Sequence, residues 1–164
     1  MIRQLLVVCQ GNLCRSPIAQ GLFRRLLPGV AVSSAGLSAR DGITIDPVAE
    51  RMLITRGIDM SSHRSRRLDE RMCHAADLIL VMELEQRKAI ERFHPVARGR
   101  IYRIAEAFLS DVQDPYRRSQ RSYDYAMTLI EHGVNDWVER IGNLAGNGPY
   151  GAIASHLNRT SEII

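Results

Sequence analysis

No apolar run in this chain is long enough to cross a bilayer. The longest, such as Leu5–Val8 and Leu78–Met82, have the length of a strand. The N-terminus also lacks the charged start, apolar stretch and small-residue cleavage site of a secretory signal. These absences set two expectations, a cytoplasmic address and no direct membrane insertion. Cysteine is scarce: three residues, an odd number that suits neither a disulfide scaffold nor a secreted chain. Lysine is almost missing, since Lys88 is the only one among 22 basic residues. There is no G-x-x-x-x-G-K-[ST] phosphate loop, and Gly11 stands alone where a dinucleotide fingerprint needs three glycines. No internal repeat, low-complexity tract or linker appears before the C-terminal tail.

What is present is the material of one soluble domain: 164 residues, 45% hydrophobic and 24% charged. The net charge of +4 is compatible with nucleic acid, an anionic surface or a phosphorylated substrate. Charge alone is weak support for a nucleic-acid role, and none is expected. Arginine favours bidentate contact with phosphate, although an arginine-rich proteome explains the bias equally well.

Along the chain, near-continuous apolar strands alternate with helical patterns. Strands are expected at Arg3–Val8, Val30–Ala35, Asp77–Met82 and Arg100–Ile104. Ser16 is expected to cap the first helix, with Pro17 in its first turn and Pro28-Gly29 beyond its end. Asp46-Pro47 repeats the signal for a helix that ends before Gly57. A short helical piece is read around Leu68–Ala75. Glu83–Phe93 reads as a helix closed by His94-Pro95, and Tyr123–Leu144 as a long helix with Trp137 on its apolar face. The expected architecture is a single doubly wound α/β domain, residues 1–146, with a four-stranded parallel sheet and helices on both faces. Residues 147–164 lack strong periodicity and are expected to form a loosely attached or disordered tail.

In such a sheet, ligands sit beyond the carboxyl ends of the strands. The segment Cys9-Gln10-Gly11-Asn12-Leu13-Cys14-Arg15-Ser16 lies there, between the first strand and the first helix. A loop of this kind aims several backbone N–H groups at one point, where the helix dipole adds positive charge. Gly11 permits a positive φ, and Asn12 is the next most tolerant residue. Arg15 supplies a fork for two oxygens of a tetrahedral dianion. The same field favours Cys9 as a thiolate, with Ser16 placed to donate to it. A thiolate under a phosphate cradle is set for in-line attack and a phosphocysteine intermediate. Taken alone, C-x5-R is a weak signal, and a cysteine after a strand is usually core packing. Zinc held by Cys9, Cys14, Cys73 and a histidine is another reading, but C-x4-C has no matching second pair and Arg15 opposes a cation.

The string "VCQGNLCRSP" closely resembles the signature of the low-molecular-weight protein tyrosine phosphatases. The resemblance continues through "SSAG", "SHRSRRL", "DLILVM" and "DPYRRS", over roughly residues 3–144, and its later part looks most like the bacterial branch. It implies that Cys9 is the nucleophile, Arg15 the oxyanion ligand and Asp114 the general acid on a mobile loop. Read alone, an acid before a proline is a turn residue. It also implies that Gln10, Gly11, Asn12, Leu13, Cys14 and Ser16 surround the phosphoryl group, and that Tyr116 forms an aromatic wall. Asn12, Ser34 and His63 would prop the loop, although His63 read alone is equally a surface histidine. Cys14 would protect an oxidised Cys9 as a reversible disulfide. Cys73 is most simply a buried structural thiol. No metal and no cofactor are implied. Arg40 and Arg117 stand where other members carry aromatic residues, which favours an acidic partner surface. Leu13 stands where a phosphoarginine-specific branch carries threonine, which favours phosphotyrosine. The implied partner is a phosphotyrosine protein, namely a membrane-bound tyrosine autokinase of exopolysaccharide synthesis.

Two rivals remain. A thioredoxin-coupled arsenate reductase shares the loop but needs two further cysteines after the third strand, and "ELEQRKAIERFHP" has none. A phosphate-binding interaction module would need no general acid, and Asp114 is present.

Overall fold

The computed structural model describes residues 1–144. The expected tail, residues 147–164, lies outside the described residues. Four parallel strands, β1 (Gln4–Cys9), β2 (Ala31–Gly36), β3 (Leu78–Val81) and β4 (Ile101–Arg103), form one sheet in the order β2-β1-β3-β4. Five helices accompany them: α1 (Arg15–Leu26), α2 (Pro47–Ile54), α3 (Glu70–Ala75), α4 (Leu84–Phe93) and α5 (Gln120–Leu144). The expected elements are therefore all present, with ends displaced by a few residues. The long helix begins three residues earlier than its apolar pattern, because Gln120, Arg121 and Ser122 form a polar first turn.

Side chains alternate along β1, as the period of two requires. Leu5, Val7 and Cys9 pack into a core shared with α1, α2 and α5. Leu6 and Val8 join Cys73 of α3, Ile90 of α4 and Ile101 on the other face. Helices thus cover both faces. Cys73 is fully buried on the face opposite Cys9 and Cys14, and burial pushes its thiol up to about 11.

Local chemistry explains the helix starts. Asp46 caps α2, its carboxylate accepting from Val48 N and Ala49 N at 3.1 Å, with Pro47 in the first turn. Gln86 reaches back to Met82 N at 2.9 Å and Glu83 N at 3.2 Å, fixing the entry to α4. The first helix departs from expectation. Ser16 is not its cap: α1 starts at Arg15, Cys14 occupies the cap position, and no side chain caps it. The Ser16 hydroxyl is spent inside the loop instead, as described below.

Because the strands are parallel, their carboxyl ends share one edge, and the chain order diverges on either side of β1. The β1–α1 loop lies at that crevice. No described helix is long and apolar enough to cross a membrane.

Trp137 locks α5 to the end of β4, its indole N–H lying 3.2 Å from Arg103 O and 3.1 Å from Ile104 O. Close approach at the same place requires Gly133, where an added Cβ would lie 2.4 Å from Ile104 O. Gly133→Ala is expected to lower stability by about 1–3 kcal/mol through overpacking. An unchanged thermal midpoint would contradict that packing.

Candidate active site

The loop after β1 closes around a buried asparagine. Asn12 has φ 56° and no exposed surface, so the left-handed position falls on Asn12 and not on Gly11. Its amide nitrogen donates to Ser16 Oγ and Ser34 Oγ, both at 2.9 Å. Its amide oxygen accepts from Arg66 N at 3.0 Å. Its backbone carbonyl accepts from His63 Nε2 at 2.9 Å, which fixes the hydrogen of that ring on Nε2. Burial, joined by Arg24, Arg64 and Arg66, holds His63 below its ordinary value despite that bond, so the ring is neutral at pH 7. Ser34 in turn donates to Gln20 Oε1 at 2.6 Å. The structure thus brings Asn12, Ser34 and His63 together with Gln20 and the backbone of Arg66.

Two donors converge on the sulfur of Cys9. Asn12 N lies 3.2 Å from it and Ser16 Oγ 3.0 Å. Ser16 Oγ also accepts from the Asn12 amide at 2.9 Å and lies 3.5 Å from Ala35 O. At Cys14, burial first, then the charges of Asp46, Cys9 and Asp114, push the thiol far above the ordinary range, so it stays protonated. Both cysteines are free thiols.

Arg15 opens α1 with its side chain buried. One terminal nitrogen, NH1, meets the Glu83 carboxylate and donates to Val112 O at 2.8 Å. The other, NH2, lies 3.1 Å from Asp114 Oδ2. Burial works against its charge, but Cys9, Glu83 and Asp114 outweigh that and raise its proton affinity. Nε is buried and, among the described residues, has no partner. A buried donor is costly to leave unpaired, and here it stands beside an uncapped helix N-terminus with no acid in its first turn. Nε and NH2 form one edge of the fork, the geometry that matches an oxyanion.

Asp114 is partly exposed, and its other oxygen accepts from Tyr116 N at 3.2 Å. Tyr116 is exposed beside it, with the Arg117 guanidinium 5.2 Å over its ring. Gln10 is exposed and donates to Ser38 Oγ, while Leu13 is half-buried. The structure does not draw the Arg40 side chain into this cluster. That residue is exposed, and its described hydrogen bond is the carbonyl accepting from Ser65 Oγ.

Three contributors escape a reading of the sequence. Glu83 anchors Arg15, but it looks like an ordinary helix cap, and only the register of β3 brings it there. Val112 acts through a carbonyl, which no side-chain pattern reports. Gly36 ends β2 against the loop, where a Cβ would lie 2.7 Å from Gln10 O and 2.8 Å from Asn12 N. The signal for Gly36 was available in "SSAG", but its reason was not. Among the described residues, no group of three or more His, Cys, Asp or Glu could hold a metal ion.

Asn12→Ala removes the side-chain bonds to Ser16, Ser34 and Arg66 and leaves an alanine in the left-handed region. It is expected to lower stability by about 2–4 kcal/mol. Denaturant unfolding checks this, and a loss under a few tenths of a kcal/mol would show that the loop holds itself.

Comparison with known proteins gives a consistent picture. The sequence pattern of the low molecular weight phosphotyrosine protein phosphatases matches residues 4–145. A probable low molecular weight protein-tyrosine-phosphatase, EpsP of Ralstonia solanacearum, is 45% identical over 141 residues, covering 86% of this chain and 97% of its own. The tyrosine phosphatase Wzb from Escherichia coli K30, solved in complex with sulphate, is similar with a TM-score of 0.83 and 36% identity, covering 87% of this chain and 100% of its own. The YwlE arginine phosphatase from Geobacillus stearothermophilus shares the fold at a TM-score of 0.80 and 29% identity, covering 86% of this chain and 94% of its own. A match across nearly all the described residues, centred on a loop with this geometry, makes the chain a member of the low molecular weight phosphotyrosine protein phosphatase family.

Proposed function

We propose that this phosphatase hydrolyses phosphotyrosine in a protein substrate through a covalent intermediate on Cys9. The observation that carries the reading is the convergence of a doubly donated sulfur, a guanidinium edge with a buried open donor, and a carboxylate 3.1 Å from that guanidinium. The phosphoryl group sits on Arg15 and the backbone N–H groups of residues 10–15, which carry its charge. The Cys9 sulfur attacks phosphorus in line as the bond to the phenolic oxygen breaks, and Asp114 gives that oxygen its proton. Water then attacks phosphorus, Asp114 takes up a proton, and the phosphorus–sulfur bond breaks to release phosphate and restore the thiolate.

Around this centre, Tyr116 offers a ring face to the substrate, and Leu13 lines the mouth with an aliphatic surface suited to an aryl group. Arg117, over the Tyr116 ring, gives the rim positive charge. Cys14, a protonated thiol near the reactive sulfur, is the partner for an oxidised Cys9. The proposed substrate is a membrane-bound tyrosine autokinase of exopolysaccharide synthesis, met in the cytoplasm; the relative named EpsP supports this direction. The chemistry asks for no metal. An arsenate-reductase relay is disfavoured because Cys73 lies across the sheet from Cys9 and Cys14.

Hydrolysis of para-nitrophenyl phosphate with EDTA present is expected to proceed in wild type and fall to background in Cys9→Ser. Retained turnover in Cys9→Ser would remove it as the nucleophile. Asp114→Ala should slow phenyl phosphate by about 10²–10⁴-fold and para-nitrophenyl phosphate much less, because only the poor leaving group needs the proton. Equal losses would take Asp114 out of the acid role.

A further inference from the structure

Beside the loop, on its β2 side, a cavity of about 350 Å³ is lined by Arg24, Arg64, Arg66, His63, Ser33 and Ser62, and among the described residues by no acidic one. Among the described residues, none of these three arginines forms an ion pair. Backbone carbonyls orient them instead. Arg24 Nε lies 3.2 Å from Val32 O and Arg66 Nε 2.8 Å from Ser34 O. Arg64 NH1 lies 3.0 Å from Ser61 O and 2.7 Å from His63 O. A guanidinium has five N–H donors, so among the described residues these bonds leave most of the donors unspent, including both terminal nitrogens of Arg24 and Arg66.

Three like charges held around one small cavity repel each other, and an anion between them relieves that repulsion. Forked donors with flanking hydroxyls suit a tetrahedral oxyanion. The cavity also touches the loop at a defined point. His63 Nε2 donates to Asn12 O at 2.9 Å, and Arg66 N donates to Asn12 Oδ1 at 3.0 Å.

We propose that this cavity is a second oxyanion site, taking free phosphate or the phosphate group of a small monoester, and that its occupancy is felt at Asn12 through His63 and Arg66. It is separate from the site at Cys9 and does not depend on the reaction assigned there. Phosphate released by any phosphoryl hydrolysis would be one source of the ligand, and a phosphorylated metabolite the other.

Nuclear magnetic resonance of the full chain titrated with inorganic phosphate tests this. Saturable shifts are expected at the Arg24 and Arg64 Nε–H groups and the His63 ring, with a distinct response at the amides of residues 11–15. In the double variant Arg24→Gln/Arg64→Gln, the response of the His63 ring should weaken by about tenfold or more per lost guanidinium. The loop response should persist and show that the variant is folded. The Asn12 amide should follow both events in wild type and only the loop event in the variant. Arg64→Gln alone, an exposed change, repeats the test if the double variant does not fold. Methylphosphonate separates the sources: saturation by both ligands assigns a monoester phosphate group, and saturation by phosphate alone assigns the free anion. Arginine signals that never saturate, or His63 and Asn12 responses identical in the two proteins, would overturn the proposal.

Discussion

A guanidinium buried at the carboxyl edge of the sheet governs the arrangement of this protein. Removing Arg15 from water is costly, and the cost is offset only where negative or carbonyl oxygens meet it on several sides. Those oxygens come from Glu83 beyond β3 and from Val112 and Asp114 in the segment after β4. One charge on the first helix therefore gathers the ends of three strands. Among the described residues its Nε has no hydrogen-bond partner.

Asn12 does for the backbone of the loop what Arg15 does for its charge. Its left-handed turn brings its own N–H toward the Cys9 sulfur and commits Ser16 to the same sulfur. The hydroxyl of Ser16 cannot both cap the helix and serve the sulfur, and it serves the sulfur. The helix N-terminus stays uncapped by any side chain, which suits an anion there. Fold and chemistry are thus joined by the same few hydrogen bonds, and Gly36 makes room for them by presenting no side chain to the loop.

Much of this was legible in the chain. The strand–loop–helix context of Cys9 and Arg15, the cap at Asp46 and the apolar face around Trp137 are local, and local patterns survive translation into structure. Ser16 was read both as a helix cap before a proline and as a partner of Cys9; it does not cap, and its hydroxyl lies 3.0 Å from the sulfur. Gly11 drew the expectation of positive φ by residue type, but the buried amide of Asn12 has partners that require the turn one residue later. Glu83, Val112 and Gly36 were hidden because their roles depend on strand order and register.

The central claim is that the phosphoryl group passes through Cys9. Asp114→Ala mixed with para-nitrophenyl phosphate should form the first ester bond to sulfur quickly and hydrolyse it slowly, because the base for water is gone. Quenching in neutral denaturant, followed by digestion and mass measurement, should find one phosphoryl group on the peptide containing Cys9 and none on the peptide containing Cys73. Release of nitrophenol with no phosphorylated Cys9, or with the phosphoryl group on another residue, would contradict the account.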